Sequence, residues 1–384
     1  MKKLLIILLS FAILFSVFFS NPVCVYAEDL NQNLEEQMNN LDFSAFEEFL
    51  NSIEGIEVEG FFSNVYSMLN GEYVFDSTSV LNNLLALAIN YLKTFLPSLI
   101  TIIAISIFTV IIQNSKSSFV SESVTEIIDF VAYLTVILIL SSQLIYFWSI
   151  SKNTIENISK LNEIMSPIIL TLMIASGANS SVAIYKPSVT LFSNIVINVV
   201  NVVVIPLIGL ILIFSVISTF SKTIKLGKFV DFFSGLVKWI IGIVVTCYGL
   251  FITVQGIASA VHDGISIKAL KYTISNSIPL VGGMLKDGFD LIVASSILIK
   301  NAIGVAGVII LFSIVLTPFL KILVFSLMLN LVAAIVEMIS DSKISYLCTC
   351  ISKSLSLLNS ATILTGFMML ISTVLMILSA NSFV

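Results

Sequence analysis

The sequence predicts an all-α polytopic membrane protein with about seven transmembrane helices. Of its 384 residues, 58% are hydrophobic and only 11% are charged, whereas soluble domains carry about 25% charged residues. The mean hydropathy is +1.08. Several apolar runs reach or exceed the roughly 20 residues that a helix needs to cross about 30 Å of hydrocarbon. These observations place most of the chain in a lipid bilayer.

Residues 1–27 have the organisation of a signal peptide. Lys2 and Lys3 precede a long apolar stretch, and Val25 and Ala27 supply the small residues of a signal-peptidase site. An uncleaved first membrane anchor is the competing interpretation. In both interpretations, the residues that follow are exported.

Residues 28–80 form an acidic extracytoplasmic region that we predict to be helical. Twelve of the 23 acidic residues lie between Glu28 and Asp76, and no lysine or arginine occurs between Lys3 and Lys93. So short a region makes a marginal core alone, so we expect its apolar face to pack on the membrane domain or on a partner. A mobile acidic linker is the alternative. The apolar face has near-helical spacing and comprises Leu34, Met38, Leu41, Phe46, Phe49 and Ile53.

Residues 81–380 form the multipass transmembrane domain. Between its spans, residues 149–164 are amphipathic and are expected on the membrane surface, and residues 339–356 are amphipathic as well. The segment 165–185 starts apolar and is expected to break at Gly177. The predicted spans cover residues 94–112, 127–148, 189–220, 239–257, 302–336 and 357–378.

The lysines predict the orientation of the membrane domain. The densest basic cluster marks the cytoplasmic side, and it consists of Lys222, Lys225, Lys228 and Lys238. In the topology that fits a duplicated domain, four further lysines fall on the outer side, which the positive-inside rule does not explain. These are Lys268, Lys271, Lys286 and Lys300.

Three amides share one face of the span at residues 189–220. Asn194, Asn198 and Asn201 are spaced by four and three residues, which places them on one side of a helix. Amides within spans usually hydrogen-bond to neighbouring helices, so we expect a packing role. The alternative is that they line a polar path.

The prolines indicate a duplicated unit of about 112 residues. Pro167 and Pro206 are 39 residues apart, as are Pro279 and Pro318, and 112 residues separate the two pairs. Each unit would contain a span, an interfacial stretch, a short segment opened by a proline and a long span broken by one. Transport folds often contain such repeats, with their sites where the repeats meet.

Residues 253–300 are much less apolar than the runs on either side, and we predict that they carry function. Charged groups and glycines at membrane depth are tolerated only in protein, at the interface or along a water-filled cavity. Because Pro279 disfavours a helix through the residue before it, we predict a re-entrant or interfacial turn over residues 278–289. The candidate site residues are Gln255, Asp263, Lys268, Lys271, Pro279, Gly282, Gly283, Asp287, Asp290 and Lys300.

No catalytic constellation is apparent, so we expect neither an enzyme nor a cofactor or metal site. His262 adjoins Asp263, but neighbouring loop residues seldom act together. Cys348 and Cys350 have no histidine or further cysteine nearby, and we interpret them as small residues on an interfacial helix. No basic patch is large enough for a nucleic-acid backbone.

Asp287 and Asp290 are three residues apart, so on a helix they share a face, as a cation or proton site requires. Solvated interfacial charges are the preferred interpretation of this pair.

The central segment resembles a known family. The order QG-ASAV-DG, K-LKY, N-IPLVGGMLKDGFD and ASSILIKNAIGVAG, within residues 254–307, is similar to that of the stage III sporulation protein AE family. The resemblance implies a multipass protein of the mother-cell membrane around the forespore of a spore-forming bacterium. It further implies a secretion-like channel complex whose partners are other membrane proteins of the same operon, a cytoplasmic ATPase and forespore-side membrane proteins.

Two function classes follow. The first is a membrane component of a multiprotein channel or export apparatus powered by a separate ATPase, which agrees with the absence of a nucleotide-binding motif in this chain. The second is an autonomous secondary transporter of small solutes, which the repeat and the amides would suit. Solute uptake by the purified protein alone discriminates between them.

Overall fold

The prediction of an all-α membrane protein is confirmed by a computed structural model that describes residues 44–52, 77–114, 122–220, 226–277, 282–339 and 343–379. Every regular element within these ranges is helical. The elements are α1 (Ser44–Asn51), α2 (Ser77–Asn114), α3 (Glu122–Ala175), α4 (Asn179–Val199), a π-helical turn (Val200–Val204), α5 (Ile205–Phe220), α6 (Gly227–Ser277), α7 (Gly282–Ile339) and α8 (Lys343–Leu378).

Six helical stretches in the described part of the chain are long and apolar enough to cross a membrane, one fewer than the expected seven. Each contains or overlaps one of the predicted spans. The stretches are Asn82–Gln113, Ser123–Ala175, Asn194–Ser218, Gly227–Val254, Asp290–Ile339 and Lys343–Leu378.

The long helices join segments that the sequence pattern separates. The 54 residues of α3 follow a path of roughly 80 Å at the α-helical rise, more than twice the thickness of the hydrocarbon. The stretch 149–164, expected on the membrane surface, instead continues the preceding span within α3. Its apolar face is buried in the bundle, where Ile155 and Ile158 have no exposed surface. The expected surface location was therefore wrong, although the stretch is amphipathic.

The predicted break at Gly177 is confirmed, and its geometry explains it. Gly177 has φ of 83°, a conformation that glycine adopts without steric cost. Its N–H donates to the Ile174 carbonyl and the Ala178 N–H donates to the Met173 carbonyl, both at 2.9 Å. These are the two hydrogen bonds of a Schellman motif, which ends α3 and lets α4 begin at once.

Helices α7 and α8 form an antiparallel hairpin at the centre of the bundle. At its middle, the Ser326 and Ser352 hydroxyls lie 2.8 Å apart. Nearer the connection between the helices, the Ser345 hydroxyl donates to the Ala333 carbonyl at 2.8 Å. Glycines bring the backbones together elsewhere, because a Cβ at Gly366 would lie 2.5 Å from Val315 Cγ2. Small residues and serine hydroxyls of this kind are typical of helix contacts in membranes.

Helices α2 and α3 pack on α7 through an aromatic cluster. The ring centroid of Phe95 is 5.5 Å from that of Phe147 and 5.1 Å from that of Phe325. The Phe147 and Phe325 centroids are 4.8 Å apart. One turn away, the Lys321 ammonium lies 5.4 Å from the centre of the Tyr91 ring, so a cation–π contact accommodates this lysine inside an apolar helix.

The expectation that the acidic region packs on the membrane domain is confirmed for α1. Phe46 and Phe49 are 1% and 5% exposed, and both belong to the main hydrophobic core together with Leu50. The helix contacts α3. Glu47 and Glu48 point away and are exposed, so α1 is an amphipathic helix docked by its apolar face. The other residues of the predicted face lie outside the described part.

The predicted duplication receives partial geometric support and stays a prediction. In two places a long helix ends and another helix begins within a few residues. The first of these helices is α3, which ends at Ala175, and the second is α6, which ends at Ser277. Pro167 lies inside α3, and its predicted counterpart Pro279 lies outside the described residues.

Candidate functional site

A polar cavity of about 780 Å³ opens at the end of the bundle where α7 leads into α8. It is bordered by α5, the first turns of α6, the last turns of α7 and the first half of α8. Its volume lies within the range of small-ligand sites. The charged and reactive side chains in its lining are Asp231, Lys238, Glu337, Tyr346, Cys350 and Lys353.

The helical repeat aligns these side chains. On α6, Asp231 and Lys238 are seven residues apart, so both lie on the face that also carries Gly235. On α8, Tyr346, Cys350 and Lys353 follow at intervals of four and three residues, which also describes one face. Each helix therefore presents a single polar stripe to the cavity.

Two contacts show that α6 and α8 run in the same direction from the cavity. At the start of α6, a Cβ on Gly227 would lie 3.3 Å from the Tyr346 hydroxyl. Further along, the Tyr248 hydroxyl donates to the Met368 carbonyl. The two pairs are 21 and 22 residues apart along their helices, so the alignment is kept over about six turns.

Hydroxyl and thiol groups line one side of the cavity. From α8 they are contributed by Ser345, Tyr346, Thr349 and Cys350. Cys350 is 4% exposed and Cys348 is fully buried, so both thiols are packed within the bundle.

The four charged groups of the cavity are open to a ligand. Asp231, Lys238, Glu337 and Lys353 are all exposed. None of these four groups forms an ion pair with another described residue, whereas Lys152 and Glu156 on α3 form one at 3.9 Å. The same residues contain no group of three His, Cys, Asp or Glu side chains that would hold a metal ion.

The central segment is more helical than predicted. Its first half continues α6 as far as Ser277. Helix α7 begins at Gly282, so the turn expected over residues 278–289 is wrong for residues 282–289, which are helical. Gly282 and Gly283 open α7. Residues 278–281, Pro279 among them, lie outside the described part of the chain.

The side chains of Gln255, Asp263, Lys268, Lys271 and Asp287 lie outside the described residues, although their backbones belong to α6 or α7.

Lys300 and Asp290 are described. Lys300 has no exposed surface, and its ammonium donates to the Ser379 carbonyl at the end of α8. Asp290 is partly exposed, about three turns earlier on α7. The carbonyl end of α8 stabilises the buried Lys300 ammonium, because the negative end of a helix attracts a cation.

The three amides of α4 and the π-helical turn do not show the expected packing role. Asn194 and Asn198 are exposed. The Asn201 amide oxygen is buried and has no hydrogen-bond partner among the described residues. The interhelical hydrogen bonds predicted for these amides are therefore absent from the described part of the structure.

The cavity itself was not predicted from the sequence. Lys238 was predicted only as a member of the cytoplasmic lysine cluster, and no role was predicted for Asp231, Glu337, Tyr346 or Lys353. The available sequence signal for the cavity was the seven-residue spacing of Asp231 and Lys238. This spacing indicates a shared helix face only when the bounds of the helix are known.

Comparison with known proteins identifies the family. The sequence model described as Stage III sporulation protein AE matches residues 61–380. The chain belongs to the stage III sporulation protein AE family. Stage III sporulation protein AE of Bacillus subtilis (strain 168) is 26% identical over 360 residues, which cover 93% of this chain and 90% of the relative. No solved structure matches the chain. As a member of this family, the chain is a sporulation protein and, given its apolar helices, a multipass membrane protein.

Proposed function

We propose that the protein is a membrane component of the channel, or secretion-like complex, that links mother cell and forespore during endospore formation. The observation that carries this proposal is the family match, because residues 61–380 include nearly the whole described bundle. In this proposal the protein lies in the mother-cell membrane around the forespore. A separate cytoplasmic ATPase supplies the energy.

The surface of the bundle agrees with a role inside an assembly. Helix α1 packs on α3 by its apolar face and leaves Glu47 and Glu48 exposed. We predict this side to be extracytoplasmic, where it offers an acidic surface to forespore-side membrane proteins. The other membrane proteins of the same operon are the proposed neighbours within the bilayer.

An autonomous secondary transporter is the alternative function. Lys300 gives it one specific support, because a fully buried lysine in a span marks a functional site by default. The discriminating experiment is uptake of small solutes into proteoliposomes that contain the purified protein alone. The complex proposal expects no uptake above that of empty liposomes, and saturable uptake by the protein alone would contradict it.

A further inference from the structure

Exposed aromatic residues and lysines near the polar cavity indicate that it lies at the membrane–water interface. Next to the α6 residues that line the cavity, three large aromatic side chains are exposed: Phe229, Phe232 and Trp239, at 54%, 61% and 68%. Aromatic residues of this kind gather where hydrocarbon meets water. In the sequence, the densest lysine cluster of the chain lies directly before and within the first turns of α6, which marks this end as cytoplasmic. The cavity therefore opens towards the cytoplasmic leaflet.

The charges in the cavity are ordered along its depth. Glu337 lies one turn nearer the end of α7 than Ala333, whose carbonyl accepts the Ser345 hydrogen bond at the start of α8. Asp231 is about one turn into α6, roughly 6 Å from Gly227 along the axis. The carboxylates therefore lie at the end of the cavity nearest the cytoplasmic water.

The lysines lie deeper. Lys238 is seven residues beyond Asp231, roughly 10 Å further along α6. Lys353 is seven residues beyond Tyr346, the α8 residue level with Gly227. Trp239 adjoins Lys238 on the exposed apolar side of α6. From water towards hydrocarbon, the order is thus carboxylates, lysines and apolar surface.

We propose that this cavity binds the head group of a zwitterionic phospholipid that carries a primary ammonium, the phosphatidylethanolamine class. In a lipid of the cytoplasmic leaflet the ammonium is outermost, the phosphate lies deeper and the acyl chains follow. In this arrangement Asp231 and Glu337 face the ammonium, and Lys238 and Lys353 face the phosphate. The apolar side of α6 faces the acyl chains. Basic pockets between membrane helices are known to take lipid head groups, and the two carboxylates make this one selective for a head group with both charges.

The apolar side of α6 leaves room for an acyl chain. Gly242 and Gly249 continue the face of Gly235, which lines the cavity. A Cβ at any of these three glycines would have no neighbour within 4 Å in the described structure. A lipid whose head group occupies the cavity can therefore lay a chain along α6 without displacing a side chain.

Quenching of Trp239 fluorescence tests this inference. The full-length protein with Trp148→Phe, whose remaining tryptophan is Trp239, is reconstituted in phosphatidylcholine vesicles. Equal mole fractions of brominated phosphatidylethanolamine, phosphatidylglycerol or phosphatidylcholine are then compared. The proposal expects the ethanolamine lipid to quench most strongly. Equal quenching by all three, or preference for phosphatidylglycerol, would overturn it.

Charge variants give a sharper test. Lys238→Gln with Lys353→Gln should weaken ethanolamine-lipid binding by roughly threefold for each lost ion pair. Asp231→Asn with Glu337→Gln should leave the lysines unopposed and switch the preference to phosphatidylglycerol. Lys343→Gln, an exposed α8 lysine outside the cavity, is the matched control and should change nothing. If the two double variants and the control have the same lipid preference, the proposal is contradicted.

Two further measurements keep the result independent of the tryptophan variant. Native mass spectrometry of the wild-type protein should show retained ethanolamine lipid, and the double lysine variant should retain less. Soluble glycerophosphoethanolamine should not compete with the lipid. If it displaces the lipid at equal concentration, the cavity is a site for a soluble ligand and the lipid assignment is wrong.

Discussion

Lys300 and Ser379 are 79 residues apart in the sequence, yet the Lys300 ammonium donates a hydrogen bond to the Ser379 carbonyl. This contact joins the first half of α7 to the end of α8, far from the cavity. At the other end of the same hairpin, Ser345 bonds to Ala333. The central hairpin is therefore fixed at both ends by polar contacts, with close-packed glycines between them.

Lys300→Met should loosen the end of α8 selectively. Methionine keeps most of the apolar volume but leaves the Ser379 carbonyl without its donor, and a net hydrogen bond is worth about 1 kcal/mol. Hydrogen–deuterium exchange in the last turn of α8 should therefore accelerate about fivefold. Lys343→Met, at an exposed position, is the control. Unchanged exchange in the last turn would show that the contact does not hold α8.

Gly366→Ala should destabilise the hairpin. Its new Cβ would lie 2.5 Å from Cγ2 of Val315, a β-branched side chain with little freedom to move. Overpacking of this kind costs about 1–3 kcal/mol. Gly242→Ala is the matched control, because a Cβ there meets nothing within 4 Å. Thermal unfolding in one detergent compares the two, and equal melting temperatures would contradict the packing described for Gly366.

Phe46→Asp with Phe49→Asp should impair sporulation without lowering the amount of protein. Both side chains are buried where α1 meets α3, and a carboxylate there is costly. The double variant should release α1 while the membrane domain stays folded. Glu47→Gln with Glu48→Gln, at exposed positions, is the control. A normal spore yield from the phenylalanine variant, measured after heat treatment, would support the linker interpretation.

The sequence was sufficient to predict the helices, the spans and some of the breaks, because these depend on local chemistry. The break at Gly177 was predicted from a single glycine after an apolar run, and the structure shows it at positive φ. The buried face of α1 was predicted from the spacing of Phe46 and Phe49. In each case the deciding pattern lies within a few neighbouring residues, although α1 packs on a helix that is distant in the sequence.

Long-range packing was not predictable in the same way. The stretch 149–164 is amphipathic, and its pattern alone does not distinguish a membrane surface from a groove in a bundle. The predicted topology placed Lys300 among the outer lysines, but no local pattern identified the Ser379 carbonyl, 79 residues away, as its partner. The cavity requires four helices at once, so the spacing of Asp231 and Lys238 on one helix could not reveal it alone.

The orientation of the bundle gives a prediction for cysteine labelling. We expect Asn31 outside and Lys225 inside, because the lysine cluster marks the cytoplasm. A membrane-impermeant thiol reagent applied to intact cells should label Asn31→Cys and spare Lys225→Cys, in a background without the four native cysteines. Permeabilised cells, in which both should react, are the control. Equal labelling in intact cells would refute the orientation.

Gly283→Val should abolish sporulation while the protein still inserts and accumulates. Gly283 is the second residue of α7, and valine adds bulk at the junction that we predict to face the channel path or a partner. Asp287→Asn, which removes one charge from the same segment, is tested beside it. Normal spore yields from both variants would show that this segment is a connector without a functional role.

The most direct test of the proposed function is affinity purification of the tagged, full-length protein from sporulating cells, followed by mass spectrometry. A membrane component of the channel complex should bring down the other membrane proteins of its operon, forespore-side membrane proteins and a cytoplasmic ATPase. An unrelated multipass membrane protein with the same tag is the control. Recovery of the protein without these partners, together with solute uptake by the protein alone, would contradict the account.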